Sequence, residues 1–106
     1  MDERYEKLAD VLVQFSTTVR PGDRVLVDAS AVPDEIVLAV MRSVKRSGGH
    51  PFVNISRARV KREFLLHGTE DDFALMSDWE AAKFRSMQCC ILLRGMNNSF
   101  EMGDVP

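Results

Sequence analysis

Three short apolar segments, each separated from the next by a helical pattern, constrain most strongly what this chain can fold into. They cover residues 24–28, 51–55 and 88–94, and they are rich in Val, Leu, Ile, Phe and Cys. Segments of this length and composition predict buried β-strands. Strands that alternate with helices pair in parallel, because a parallel neighbour requires a crossover connection. The order therefore predicts an α/β fold, a three-layer (αβα) domain with a short parallel sheet and a Rossmann-like architecture.

The first two helices are predicted from spacing and from end signals. Residues 3–17 carry apolar side chains at steps of three and four, which is the pattern of an amphipathic helix. The next helix begins at Pro33, since proline suits a first turn, and it ends at the pair Gly48 and Gly49. Lys45 and Arg46 precede this pair, where the helix dipole favours positive charge.

Between the second and third strands, the sequence predicts two more helices. Ser56 is expected to cap a helix that runs to about His67 and ends at Gly68. Three of its apolar residues are expected to face inward. These are Val60, Phe64 and Leu65.

Two capping boxes are candidates for the start of the following helix. Thr69 and Asp72 form an approximate box, and Ser77 and Glu80 form a better one. After the third strand, residues 95–100 are typical of a loop, and residues 102–106 resemble a linker.

Composition restricts the class of protein. The chain has 106 residues, so residues 1–106 are expected to form a single α/β domain. Its 45% hydrophobic and 28% charged residues exclude a disordered tail, a collagen-like fibre and a disulfide scaffold. The longest apolar run, residues 36–41, is far shorter than the about 20 residues of a membrane span. The charged N-terminal stretch predicts no signal peptide.

The two cysteines indicate the cellular compartment. Cys89 and Cys90 are adjacent on a predicted strand, so they point to opposite faces and are not expected to pair. Two unpaired thiols are typical of a reducing compartment, and we therefore predict a cytoplasmic protein.

Few residues show a pattern that carries chemistry. His50 and His67 have no metal-ligand spacing, and no glycine-rich phosphate loop is present. No catalytic residue is predicted. Asp28 and Ser30 lie at the carboxyl end of the first strand, where open α/β sheets bind ligands, and they are the candidate ligand-binding residues. The alternative is a turn that caps the following helix.

Charge is unevenly distributed, although the net charge is only −2. Residues 42–62 hold seven basic side chains and no acidic one, whereas residues 70–80 hold five acidic side chains and no basic one. A nucleic-acid site would interleave aromatic residues with the basic ones, and that pattern is missing. We interpret the two runs as solvated helix faces or as contacts with another domain or subunit, and expect no nucleic-acid or membrane partner.

Several segments of the chain resemble those of a known family. Residues 5–13 read YEKLADVLV and residues 19–27 read VRPGDRVLV. They are similar to the opening of the thermophilic-type metallo-aminopeptidases, the aminopeptidase T and aminopeptidase S group, which have the forms Y-x-K-L-A-x-x-L-V and V-x-P-G-D-x-V-x-I. The turn at residues 45–51, KRSGGHP, resembles the family's K-x-G-(A/G)-x-P. The resemblance extends over nearly the whole chain.

This resemblance implies that residues 1–106 are the N-terminal domain of a longer enzyme. Family members hold two divalent metal ions, of the zinc, cobalt or magnesium type, in the following domain, so no metal ligand is carried over to this segment. The implied function is that of a non-catalytic domain, which shapes the active-site cleft and the subunit interface of an aminopeptidase. The implied partners are the C-terminal catalytic domain, a second subunit and a peptide substrate.

Two alternatives remain open from the residues alone. The chain is either a freestanding small α/β binding domain, with a pocket near Asp28 and Ser30, or an interaction domain that dimerises through the apolar helix at residues 36–41.

Overall fold

A computed structural model describes residues 3–96 and 99–105 of the chain. The helices are α1 (Glu3–Asp10), α2 (Asp34–Arg46), α3 (Ala58–His67) and α4 (Glu70–Arg85). A π-helical segment, Val11–Ser16, continues α1. The strands are β1 (Arg24–Ser30), β2 (His50–Ser56), β3 (Cys89–Met96) and β4 (Ser99–Val105).

The strands form one sheet in the order β2-β1-β3-β4. Strand β1 pairs in parallel with β2 and with β3, as the alternation of strands and helices predicts. The fold class is confirmed: the domain is α/β, with α1 and α2 on one face of the sheet and α3 and α4 on the other.

The interpretation of residues 95–100 as a loop, and of residues 102–106 as a linker, is wrong. Gly95 and Met96 continue β3, and β4 then pairs antiparallel with β3 at the sheet edge. Asn97 and Asn98, between the two strands, lie outside the described residues, as does Pro106. Asparagine is a frequent hairpin residue, so the Asn-Asn pair was a turn signal that the loop interpretation overlooked.

The hydrophobic core lies between the sheet and the layer formed by α1, the π-helical segment and α2. Successive strand residues point to opposite faces, so the odd-numbered residues of β1 and β3 enter this core. Its fully buried side chains include Val25, Val27, Ile36, Val40, Val44, Ile91 and Leu93. Continuous burial of this kind explains why the central strands are apolar along their length.

On the opposite face of the sheet, no residue of α3 or α4 is itself buried. Val60 and Leu65, which were predicted to face inward, are not buried in a core: they are 68% and 59% exposed and line an open groove beside the sheet. Phe64 is half-buried and packs edge-to-face on Phe73, with ring centroids 5.3 Å apart. The helical pattern predicted α3 correctly, but it could not indicate whether another part of the chain packs against this helix.

The predicted caps of α3 and α4 have different outcomes. Ser56 lies in β2, and α3 begins after Arg57 without a side-chain cap, so that prediction is wrong. At α4, Thr69 and Asp72 form a complete capping box. Ser77 lies in the middle of α4 and starts no helix.

A polar cluster attaches α1 to α2. Buried Ser43 donates its hydroxyl to Asp10 Oδ1 at 2.6 Å, and Arg46 Nη2 lies 2.8 Å from the same oxygen. One turn away, Arg42 pairs with Glu6 through Nε at 3.0 Å. Part of the basic run thus binds acidic residues within this domain.

The pKa of Asp10 is lowered, chiefly by the Ser43 hydroxyl and then by Arg46. We expect Ser43→Ala to raise the Asp10 pKa toward its ordinary value, because the mutation removes the hydrogen bond that favours the charged carboxylate. A carboxyl whose pKa is depressed by folding contributes stability above its unfolded pKa of about 4, and the contribution disappears as pH falls through the folded value. The stability that Asp10 contributes above pH 4 should therefore shrink in Ser43→Ala.

An NMR titration of the Asp10 carboxyl carbon measures this change. Ser77→Ala, on the exposed surface of α4, is the matched control and should leave the Asp10 pKa unaltered. An identical Asp10 pKa in the wild type and in Ser43→Ala would contradict the assigned cause.

Candidate functional site

Polar side chains meet at the carboxyl ends of the three parallel strands, on the face opposite the core. Asp28 of β1 lies opposite Asn54 of β2, and Ser30 lies opposite Arg94 of β3. Even-numbered residues of these strands share this face because side chains alternate along a strand. The register therefore brings together groups that are 26 to 66 residues apart in sequence.

Asp28 is the centre of this polar group. Asn54 Nδ2 donates to Asp28 Oδ1 at 3.0 Å, and Arg94 Nη2 donates to Asp28 Oδ2 at 3.3 Å. Arg94 Nη1 also donates to the backbone carbonyl of Asp28 at 2.8 Å and to that of Leu93 at 3.2 Å. The Asp28 side chain is only 14% exposed, whereas that of Arg94 is 44% exposed. Asp28 thus orients a guanidinium group that reaches solvent.

A groove of about 730 Å³ opens beside this polar group. One wall is the sheet, and the other consists of apolar side chains from α3 and α4. The apolar side chains are Val60, Phe64, Leu65, Met76 and Trp79. The chain runs from β1 to β2 on one side of β1 and then returns past β1 to β3 on the other side. The groove lies at the carboxyl ends of these strands, and the point where the strand order reverses is the usual ligand-binding position of an open α/β sheet.

The two candidate ligand-binding residues have different surroundings. Asp28 lines the groove, and Ser30 lies two residues further along β1 without lining it. Asn54 and Arg94 line the groove beside Asp28 and were missed. Their signal was the same as that of Asp28, a polar residue near the carboxyl end of an apolar strand. A ligand role for Asp28 and Ser30 stays a prediction.

The described residues do not fit a metal ion. Within residues 3–96 and 99–105, no group of three or more His, Cys, Asp and Glu side chains could hold one. Asp28 and Glu80, the half-buried carboxylates in the groove, are already paired with Arg94 and Lys83, whose positive charges repel a cation. His67 is exposed and lies 3.3 Å from Glu63, and His50 is exposed on β2.

The cysteine thiols lie on opposite faces of β3, as predicted. Both are free, with Cys90 buried and Cys89 half-buried. Burial raises the pKa of each thiol, and the carboxylates of Asp23 and Asp28 raise them further. A raised pKa keeps the thiol protonated and unreactive, so packing accounts for both residues. In the part of the chain that the structure describes, no helix is long and apolar enough to cross a membrane.

Comparisons with known proteins agree with this fold. The chain is similar to a solved structure, wild-type AmpT from Thermus thermophilus, with a TM-score of 0.55 and 20% sequence identity. The similarity covers 65% of this chain and only 18% of the AmpT chain. No curated protein matches the sequence. The model of one protein family, described as thermophilic metalloprotease (M29), matches residues 1–100. Since that match extends over almost the entire sequence, the chain belongs to the thermophilic metalloprotease family.

Proposed function

We propose that this chain is the N-terminal, non-catalytic domain of a longer two-metal aminopeptidase, which releases N-terminal amino acids from peptides. The observation that carries the proposal is the family match over residues 1–100. The similarity to AmpT supports it, because the chain corresponds to 18% of that longer protein.

The metal ions of the parent enzyme would be held outside this domain. Two divalent ions, of the zinc, cobalt or magnesium type, activate water and polarise the scissile carbonyl when they are bound. Residues 3–96 and 99–105 contain no suitable ligand cluster, so we place the ligands in a C-terminal catalytic domain. In this proposal, the chain contributes a wall of the active-site cleft and part of the subunit interface.

The exposed side chains of α3 and α4 support a contact with that catalytic domain. Leu66 is 63% exposed and Leu75 is 68% exposed, and neither lines the groove. Apolar side chains that are exposed together on one surface are typical of an interface. We propose that this surface borders the active-site cleft and joins the subunit interface of a homodimer. A cytoplasmic location is part of the proposal, and the two free thiols support it.

Deleting residues 1–106 from the full-length enzyme tests this role. We expect the truncated enzyme to lose its limit on peptide length and its native oligomeric state, because the wall of the cleft and part of the interface are removed. Amino-acid release from peptides of increasing length measures the first, and sedimentation measures the second. The chain of residues 1–106 alone, supplied with zinc, cobalt or magnesium, should release no amino acid.

Either of two results would contradict the proposal. One is peptide hydrolysis by residues 1–106 alone. The other is a truncated enzyme that has the same activity, length limit and oligomeric state as the intact one.

The alternative is a freestanding α/β binding or interaction domain, which the groove at Asp28 and Arg94 favours. The source reading frame separates the two functions. Continuation beyond codon 106 into a region with clustered Glu, His and Asp residues supports the aminopeptidase. A stop codon directly after Pro106 leaves the binding domain.

A further inference from the structure

We propose that the groove between the sheet and helices α3 and α4 binds the C-terminal carboxylate of a short peptide whose last side chain is apolar. The inference rests on the proposed function, since peptides are then the substrate class of the enzyme. A peptide bound here by its C-terminus must also place its N-terminus in the catalytic domain. The distance between the two positions would therefore limit the length of the substrate.

Arg94 supplies the anchor for the carboxylate. Its contacts to Asp28 and Leu93 use Nη1 and Nη2, and no contact among the described residues uses Nε. Nε and the second hydrogen of Nη2 can therefore donate to a carboxylate, for which arginine geometry is well suited. Because Asp28 already holds the guanidinium in place, binding costs Arg94 little conformational freedom.

The charge of the groove favours an anion. Three basic side chains line it, Arg57, Lys61 and Arg94, together with two acidic ones, Asp28 and Glu80. Both acidic side chains are already paired, Asp28 with Arg94 at 3.3 Å and Glu80 with Lys83 at 3.1 Å, so Arg57 and Lys61 give the groove an excess of positive charge that attracts a carboxylate. The apolar wall then favours a peptide over inorganic phosphate, which has no apolar group to place there.

The opposite wall provides contact for the apolar side chain of the peptide. Val60, Leu65 and Trp79 line the groove and are each more than half exposed. A concave, mostly apolar site with a few convergent polar groups is the usual form of a small-ligand site, and about 730 Å³ lies within the common size range. An apolar side chain placed here would cover part of the exposed surface of these three residues.

Trp79 is the only tryptophan of the chain, so its fluorescence reports directly on the groove. We expect the dipeptide Ala-Leu to change Trp79 emission in a saturable manner. The C-terminal amide of the same dipeptide should bind at least about tenfold more weakly, because it lacks the charge that Arg94 recognises. Inorganic phosphate should compete poorly, and isovalerate, a free apolar acid, should bind more weakly than the peptide.

Two variants and a neighbouring control complete the experiment. Arg94→Gln and Lys61→Gln should each weaken the binding of Ala-Leu, the former by about tenfold or more. Lys61 is exposed on α3, so its replacement keeps the test valid if Arg94→Gln unfolds. Arg62→Gln changes the next residue, which does not line the groove, and should alter the affinity by less than about twofold.

Several results would overturn the proposal. They are an unresponsive Trp79, equal binding of the peptide and its amide, tighter binding of phosphate or isovalerate than of Ala-Leu, and an equal loss of affinity in Arg62→Gln. If Ala-Leu left the Trp79 emission of residues 1–106 unchanged while the full-length enzyme still hydrolysed peptides, this inference would be overturned and the proposed function would stand. If residues 1–106 bound Ala-Leu saturably but the full-length protein hydrolysed no peptide, the proposed function would be overturned and peptide binding in the groove would stand.

Discussion

Leu93→Ala is expected to lower the free energy of unfolding by about 3–5 kcal/mol, the largest effect of any single truncation considered. Leu93 lies on β3, is 0% exposed and belongs to the core between the sheet and helices α1 and α2. The mutation removes buried apolar surface and leaves a cavity that the surrounding strands cannot fill. A loss of this size is a large part of the about 5–15 kcal/mol that stabilises a typical domain.

Leu65→Ala is the matched control, since it makes the same chemical change on α3. The Leu65 side chain is 59% exposed, so we expect a change within about 0.5 kcal/mol. Urea denaturation followed by circular dichroism gives both values. Equal losses in the two variants would show that α3 is packed as tightly as the core and would contradict the structure.

Gly95→Ala is expected to lower the free energy of unfolding by about 2–3 kcal/mol or more. A Cβ atom at Gly95 would lie 1.8 Å from the carbonyl oxygen of Ala31 and 2.7 Å from its carbonyl carbon. Both are backbone atoms, and Ala31 is itself held at a φ of 58°, in the left-handed region that favours glycine. The overlap can only be relieved by moving β3 away from the segment after β1.

Gly22→Ala is the control that measures the cost of backbone strain alone, without an atomic overlap. Gly22 has a φ of 87°, but an added Cβ would meet nothing within 4 Å. Its replacement should therefore cost only about 1 kcal/mol, the usual penalty for a side chain in left-handed backbone. Thermal unfolding of both variants measures the difference. A smaller loss in Gly95→Ala than in Gly22→Ala would argue against the close approach of Ala31.

Gly95→Ala also tests the groove, because Arg94 is the adjacent residue. A displaced β3 would carry Arg94 away from Asp28, although the two side chains are unchanged. We expect the Trp79 response to Ala-Leu to weaken in Gly95→Ala and to persist in Gly22→Ala. A full Trp79 response in both variants would show that peptide binding in the groove does not depend on the position of β3.

Much of the candidate site was beyond prediction from the sequence. Asp28 could be identified, because a polar residue at the end of an apolar strand is visible without knowing the strand's neighbours. Asn54 and Arg94 show the same signal, but their contact with Asp28 depends on the order and register of β2, β1 and β3. Sheet order is set by long-range packing, which no local pattern encodes.

The sequence by itself determined the local elements and their class. The three parallel strands and the four helices follow from short-range spacing, turn residues and side-chain chemistry, which act within a few residues of the chain. The start of α4 was a choice between two candidate boxes, and the structure selects Thr69 over the preferred Ser77. The motifs at residues 5–13 and 19–27 also led to the correct family. These properties need no knowledge of what the chain folds against.

Only the tertiary structure decided the strand order, the pairing of β4 with β3 and the groove at Asp28. It also decided that α1 and α2 cover the core while α3 and α4 remain exposed, although all four helices carry apolar residues. The physical reason is that burial is a property of pairs of surfaces. A helical pattern specifies which side chains can be buried, and only the arrangement of the whole chain determines whether another surface covers them.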